Sequence, residues 1–218
     1  MKYLQIAIDG PAGAGKSTIA QKLAKRLNIT YIDTGSMYRA LTYKVIKENI
    51  NIHNKEQIIN ITNNVDMTIS QDNIFIDGED VTRNIRSQEV TKSVSYIAQI
   101  PEVRECLVRL QQKFATNNSV VMDGRDIGTH VLPNAAIKIF LTASIDERAH
   151  RRYNELIQKG EAVVYEDIKE SIKARDKLDT ERQHAPLKKA KDAIILDTTG
   201  LDVDIVVEKI IYIISQKS

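Results

Sequence analysis

One cysteine, no tryptophan and only four prolines stand among the 218 residues. The lone thiol, Cys106, cannot close an intramolecular disulfide or supply a four-cysteine zinc centre. It is compatible with a reducing cytoplasm, the expected location. No stretch of 18 apolar residues occurs, so no membrane-spanning helix is expected. The first apolar run is too short for a secretory h-region before the chain reaches Asp9. Basic and acidic residues nearly cancel, 31 against 29, which leaves no general basic field to draw nucleic acid. His53, His130, His150 and His184 are scattered without ligand spacing, so no zinc site is expected. Repeats, low-complexity segments and heptads are lacking too, and the expected state is a monomer. With 42% hydrophobic and 28% charged residues the chain can still bury a full core.

What is present begins at residue 10. Gly10-Pro11-Ala12-Gly13-Ala14-Gly15-Lys16-Ser17-Thr18 matches G-x-x-x-x-G-K-[S/T]. The apolar run Tyr3–Ile8 before it reads as a buried strand. Ile19, Ala20, Leu23, Ala24 and Leu27 after it share one helix face. Strand, glycine turn and helix are the context this motif needs. Glycines let backbone N–H groups converge on a polyanion, and the following helix turns its positive end to the same place. Lys16 supplies a charge for the β- and γ-phosphates, and Ser17 a hydroxyl for Mg²⁺. The loop is a nucleoside triphosphate site.

Further along, Thr30–Asp33 reads as a second strand, and Asp33-Thr34-Gly35-Ser36-Met37-Tyr38-Arg39 leads into a helix burying Met37, Leu41 and Val45. Arg39 in the first turns opposes the helix dipole; it is either solvated or held by an anion such as a phosphate. Residues 51–64 form a connection or short helix. Val65, Met67 and Ile69 alternate with polar residues, Gln71-Asp72-Asn73 turns, and Ile74 and Ile76 resume. That predicts an inserted hairpin, either decorative or covering a ligand. One helix carries Val90, Val94 and Ile97. Another opens at Pro101 with Val103, Leu107, Leu110 and Phe114 as its stripe. Ser95 and Arg104 flank these stripes, and Cys106 reads as a passive boundary residue.

Val120–Met122 predicts a short strand ending in Asp123-Gly124-Arg125-Asp126-Ile127-Gly128. Ligands of open α/β sheets bind at such strand ends. An Asp there can hold Mg²⁺ or its water, and an Arg can fork onto a phosphate; the alternative is a solvated turn. Ala135–Leu141 is the next strand. Ser144-Ile145-Asp146-Glu147 reads as a capping box opening a helix, with Arg148, Arg151 and Arg152 on a shared face, ending near Gly160. From about Glu166 another helix sets Ile168, Ile172, Arg175, Asp179 and Arg182 along one stripe. Its apolar part packs inward, and its charged part is either solvated or directed into a cleft. After a basic connection containing Pro186, Ala193–Leu196 is a fifth strand. A last helix through Val203, Val206, Ile210 and Ile213 completes the chain.

These elements predict an α/β fold: a five-stranded parallel sheet with helices on both faces. The triphosphate loop alone leaves kinase, GTPase and ATPase open. Asn54-Lys55-Glu56-Gln57 is the nearest approach to the guanine motif Asn-Lys-x-Asp and lacks its aspartate. Motor ATPases need larger chains. A phosphotransferase with two anionic substrates fits the size and the clustered arginines, because phosphoryl transfer asks mainly for positioning and charge.

Read together, Ile8–Thr18, Asp33–Arg39, Gly78-Glu79-Asp80-Val81 with Ile85-Arg86 and Glu89-Val90, Asp123–Thr129, Glu147–Arg152 and Ala185-Pro186-Leu187 run in one order. In that order they resemble the bacterial cytidylate kinases, nucleoside-monophosphate kinases of the P-loop class, over almost the whole length. The hairpin near 65–82 resembles the insert of that family.

The resemblance implies transfer of a phosphoryl group from ATP to CMP or dCMP, with Mg²⁺. It implies a core over 1–34, 117–147 and 186–218, a monophosphate-binding domain over 35–116, and a helical lid over 148–185. Residues 10–18 would hold ATP, with Ser17 and Asp123 toward the metal. Thr34, Arg39 and Arg125 would bind the acceptor's α-phosphate. Ser95, Arg104, Asp126 and Arg182 would read cytosine, and Arg175 and Asp179 would meet the sugar. Lys16, Arg125 and Arg175 would carry catalysis. Relatives can have arginine where Leu178 stands, which leaves Arg148, Arg152 or Lys177 as the lid cation. Weighed against this are kinases of UMP, AMP or a shikimate-like acceptor, and an ATP-binding switch without turnover. Shikimate-type kinases use a Gly-Gly turn, absent here; a switch has no use for a second phosphate site.

Overall fold

A computed structural model describes residues 3–70 and 73–217. The chain divides into two compact units: one formed by residues 1–32 and 115–218, the other by Asp33–Phe114.

The first unit holds the parallel sheet. Its strands are β1 (Gln5–Asp9), β2 (Thr30–Asp33), β6 (Val120–Gly124), β7 (Ile137–Thr142) and β8 (Ile194–Asp197), in spatial order β2-β6-β1-β7-β8. Between them in sequence run α1 (Lys16–Leu27), α6 (Ile145–Gln158), α7 (Tyr165–Glu181) and, at the end, α8 (Val203–Ser215). Helices lie on both faces of the sheet, as expected. All five residues of β6 are buried, the mark of a central parallel strand covered on both sides. β8, at the sheet edge, alternates half-buried and exposed. Ile6, Ile8, Ile19, Leu23, Ile139, Val206 and Ile210 make the core between β1, β7, α1 and α8. Asn28 closes α1 in the left-handed region at φ 51°. A smaller apolar cluster, Ala149, Leu156, Ile168 and Ile172, joins α6 to α7. Gly160, at φ 78°, follows the end of α6.

The second unit contains α2 (Thr34–Lys47), α3 (Lys55–Asn64), β3 (Met67–Ser70), β4 (Asn73–Ile76), β5 (Glu79–Asp80) and α4 (Gln88–Ile97). It also contains α5 (Pro101–Thr116) up to Phe114. Met37, Leu41 and Val45 are fully buried among Ile58, Ile76, Val94, Ile97, Val103 and Leu107, the stripe spacing at work. β3 and β4 pair antiparallel from Met67↔Ile76 to Ser70↔Asn73. Gln71 and Asp72 of the expected turn lie outside the described residues. Two differences from the sequence reading stand out. Val65 caps α3 instead of joining the hairpin, and a third strand, β5, pairs Phe75 with Asp80. β5 is two exposed acidic residues after the Asp77-Gly78 turn, so no alternation could announce it. No helix among the described residues is long and apolar enough to cross a membrane.

Candidate active site

The carboxyl ends of β1 and β6 bring the chemistry together within the first unit. At the end of β1 the backbone enters the phosphate loop at Gly10, φ 151°. A Cβ there would stand 2.1 Å from the Leu141 carbonyl oxygen, so the residue is set by contact as well as by conformation. α1 begins at Lys16 without a side-chain cap and without an acidic residue in its first turn. No residue of its own first turn therefore offsets the positive end of the helix.

Lys16 is 6% exposed, and its Nζ donates to the Pro11 carbonyl at 2.7 Å. Burial lowers its pKa to about 7, and the neighbouring charge of Arg125 pushes the same way. Asp123 pulls back, and Arg175 and Asp179 act more weakly in opposite senses. Ser17 Oγ donates to Asp123 Oδ2 at 2.9 Å, and Tyr31 Oη to Asp123 Oδ1 at 2.8 Å. Both carboxylate oxygens of a residue 3% exposed are thus oriented by hydroxyls.

Beyond β6 the chain makes a π-helical turn, Ile127–Val131. Asp123-Gly124-Arg125-Asp126 is not a solvated turn: Asp123 and Asp126 are 3% and 5% exposed. Arg125 Nε donates to Asp179 Oδ2 at 2.7 Å, and Arg182 Nη2 to Asp126 Oδ1 at 3.3 Å. Burial alone would raise the Asp179 carboxyl; Arg125, Arg175 and Arg182 outweigh it and hold it below its ordinary value. Burial likewise works against Arg125, but Asp179, Asp123 and Asp176 raise it above its ordinary value. Lys16, Asp123, Arg125, Arg175 and Asp179 therefore share one electrostatic neighbourhood, and Asp126 and Arg182 form a buried pair. The charged half of the α7 stripe is directed inward here, not solvated.

The α6 arginines part company. Arg148 is buried; its Nη1 donates to Ala12 O at 3.0 Å and to Asp176 Oδ2 at 2.5 Å, and its Nε to Ala143 O at 3.0 Å. Arg151 holds Thr198 and Glu147. Arg152 reaches Glu155 at 2.7 Å on the surface. The three share a face of α6 as expected, but each long side chain finds a different nearby acceptor. The capping box forms by half. Ser144 Oγ accepts from Glu147 N, but the Ser144 N–H goes to Thr199 Oγ1 and the Glu147 carboxylate to Arg151.

The second unit carries the remaining residues expected from the sequence. Thr34 opens α2 and is 3% exposed. Arg39 pairs with Asp33 at 2.8 Å, which answers the dipole argument with a carboxylate, while its buried Nε meets no hydrogen-bond partner among the described residues. Asp33 also caps α2 through the Ser36 N–H. Arg104 is 4% exposed, donates to Ala98 O at 3.2 Å and stacks over Tyr38 at 5.3 Å. Ser95 sits half-buried on α4. Cys106 is half-buried against Thr62 O, in keeping with a passive role.

Sequence reading missed four side chains: Asp9, Tyr31, Asp33 and Asp176. Asp33 stood inside a quoted motif and Asp176 beside Arg175. Asp9 too stood inside a quoted motif, Ile8–Thr18, without a role assigned to it; Tyr31 left no signal, because β-strand ends become neighbours only when the sheet forms. Asp9 is 3% exposed; its Oδ1 accepts from Ile127 N at 2.7 Å and its Oδ2 from Gly128 N at 2.8 Å. Burial pushes its carboxyl up to about 6 against the pull of those two amides; Asp126 adds to the rise and Lys16 opposes it.

Comparison with known proteins places this geometry. A family model described as Cytidylate kinase matches residues 6–216. A cytidylate kinase of Alkaliphilus oremlandii (strain OhILAs) is 58% identical over 214 residues, 98% of this chain and 99% of that protein. One of Alkaliphilus metalliredigens (strain QYMF) is 52% identical over 217 residues, 100% and 99% of the two chains. Among solved structures, a shikimate kinase from Bacteroides thetaiotaomicron aligns at a TM-score of 0.50 and 13% identity, covering 97% of this chain and 98% of that one. That likeness concerns the fold alone. With a matching profile from end to end and relatives at more than half identity, the chain belongs to the cytidylate kinase family.

Proposed function

We propose that the protein transfers the γ-phosphoryl group of ATP to CMP or dCMP, giving ADP and the diphosphate. The observation that carries the reading is the crowding of Lys16, Arg125, Arg175 and Asp179 beside the phosphate loop in a chain of this family. Lys16, Arg125 and Arg175 stand together with Asp123 and Asp179 offsetting part of their charge, an arrangement that polyanionic substrates would complete. Residues 10–18 take the donor phosphates, Lys16 reaching the β- and γ-groups. Mg²⁺ suits the Ser17 hydroxyl and Asp123 carboxylate, hard oxygen donors 2.9 Å apart. When bound, it would neutralise phosphate charge as the bond to the leaving group breaks.

On the Asp33–Phe114 unit, Thr34 and Arg39 bind the acceptor's α-phosphate, and Ser95 and Arg104 read the cytosine edge. On the other unit, Arg125 is a phosphate-binding residue, Asp126 and Arg182 recognise the base, and Asp179 and Arg175 hold the sugar, with Arg175 bridging to phosphate. The acceptor oxygen is already anionic, so no general base is required. Residues 148–185 form the lid, 35–116 the monophosphate-binding domain, and 1–34, 117–147 and 186–218 the core. The enzyme acts as a cytoplasmic monomer in pyrimidine nucleotide metabolism, without nucleic acid or membrane as partner.

A coupled ADP-release assay across CMP, dCMP, UMP, AMP and shikimate tests this. Turnover with CMP and dCMP far above the others is the expected result. Preference for another acceptor, or no acceptor-dependent ADP, overturns it.

A further inference from the structure

The parallel ladder between β1 and β6 ends at Asp9↔Gly124. Past that pair the two chains part: one becomes the phosphate loop, the other Arg125-Asp126 and the π-helical turn. The backbone pairing of β1 with β6 does not continue beyond it. Yet these are the segments assigned to the donor and to the acceptor, and in-line transfer tolerates little error in their spacing. A displacement of about 1 Å can cost a hundredfold in rate.

The side chain of Asp9 spans the gap. Asp9 immediately precedes Gly10, and its two carboxylate oxygens take one N–H each, from Ile127 at 2.7 Å and Gly128 at 2.8 Å. These amides begin the π-helical turn that directly follows Asp126, and Asp126 offers no side-chain cap to that turn. Gly128 is fitted to the contact: a Cβ there would stand 3.3 Å from Asp9 Oδ2 and 3.2 Å from Lys138 Cδ.

We propose that Asp9 is a positioning residue for phosphoryl transfer: a two-pronged tether that fixes the Arg125-Asp126 segment in register with the phosphate loop. The proposal rests on the functional reading above. The chemistry favours a carboxylate specifically. It accepts two N–H groups at once, whereas asparagine at the same place accepts one and turns an NH₂ against the other. Asp9 lies 3% exposed, and burial raises its pKa to about 6, so keeping a charge there is costly.

The test separates binding from turnover. Wild type, Asp9→Asn and Gly128→Ala are compared for thermal melting, for binding of CMP alone and of ADP alone by titration calorimetry, and for kcat with both substrates saturating. Gly128→Ala crowds the same contact from the other side and serves if Asp9→Asn fails to fold. The expected result is a kcat lowered tenfold or more in Asp9→Asn, and in the same direction in Gly128→Ala, while each nucleotide alone binds within threefold of wild type. A kcat within twofold of wild type in the folded variants overturns the proposal. So does a loss of binding as large as the loss of kcat, which marks an ordinary structural defect. A wild-type enzyme inert with CMP defeats the functional reading instead, a failure visible before any variant is examined.

Discussion

Lys16 illustrates how a single buried charge is prepared for a ligand. Its ammonium is desolvated and flanked by Arg125 and Arg175, with Asp123 and Asp179 offsetting part of the cost. Removing it relieves a penalty in the protein, so Lys16→Ala is expected to melt within a few degrees of wild type. Turnover should fall by about a hundredfold to a thousandfold, the usual loss when one preorganised donor to a developing anion is deleted; near-normal kcat in a coupled assay would take Lys16 out of the chemistry. Arg182 and Ser95 serve as the contrasting pair. The Arg182 side chain is 5% exposed and donates to Asp126. Arg182→Met and Ser95→Ala should raise the KM for CMP by about tenfold to a hundredfold, the worth of a hydrogen bond involving charge. The KM for ATP should stay within threefold, and equal rises for both nucleotides would put these residues in the wrong pocket.

At the scale of elements, the α6–α7 pair is joined to the phosphate loop by one cluster. Asp176 Oδ1 accepts from Ala12 N at 3.2 Å, and Arg148 binds Asp176, Ala12 O and Ala143 O together. The apolar cluster linking the two helices is small, so the polar attachment matters more than usual. Arg148 is thereby anchored to the loop's own backbone, whereas Arg152 pairs with surface Glu155. Breaking a buried ion pair by removing one partner costs about 3–5 kcal/mol; with Asp176 a fifth exposed, about 2–3 kcal/mol is expected. Asp176→Asn should therefore speed amide hydrogen exchange across α7 by about thirtyfold or more. Arg152→Met should change it little, since exposed pairs contribute about 0–1 kcal/mol. Equal protection of α7 in both variants would show that Asp176 does not hold the helix.

At the scale of the whole molecule, the buried carboxylates give stability a pH signature. Asp9 has its carboxyl raised from 3.8 to about 6. Between those values the folded protein binds more protons than the unfolded chain, so stability falls as pH rises through that window, by on the order of 3 kcal/mol. Asp179 works in the opposite sense: its carboxyl is lowered, and its contribution is lost only as pH drops below about 4. Lys16, lowered to about 7, acts above that pH and adds stability as pH rises. Denaturant unfolding of wild type and Asp9→Asn at pH 4 and pH 6 isolates the first effect. The variant should gain relative to wild type as pH rises. A constant difference between the two proteins would mean that Asp9 titrates normally.

Much of the fold was legible because its signals are local. The stripe Met37, Leu41, Val45 became the buried face of α2, and Thr30–Asp33 became β2 without adjustment, since period and turn chemistry act within a few residues. The phosphate loop was legible for the same reason: glycine spacing and a following helix suffice to build an anion cradle. Arg148, Arg151 and Arg152 share a face of α6 as expected, but their separate partners could not be read, because a long side chain chooses among acceptors that only packing supplies. The partners of Asp9 and Tyr31 were invisible for a related reason. Each acts across neighbouring strands on a partner about 90 to 120 residues away. The sequence by itself thus determined the elements, their αβ alternation and the donor cradle. Only the tertiary structure decided which buried carboxylate ties which loops together, because that choice depends on strand order, and strand order is a property of the assembled sheet.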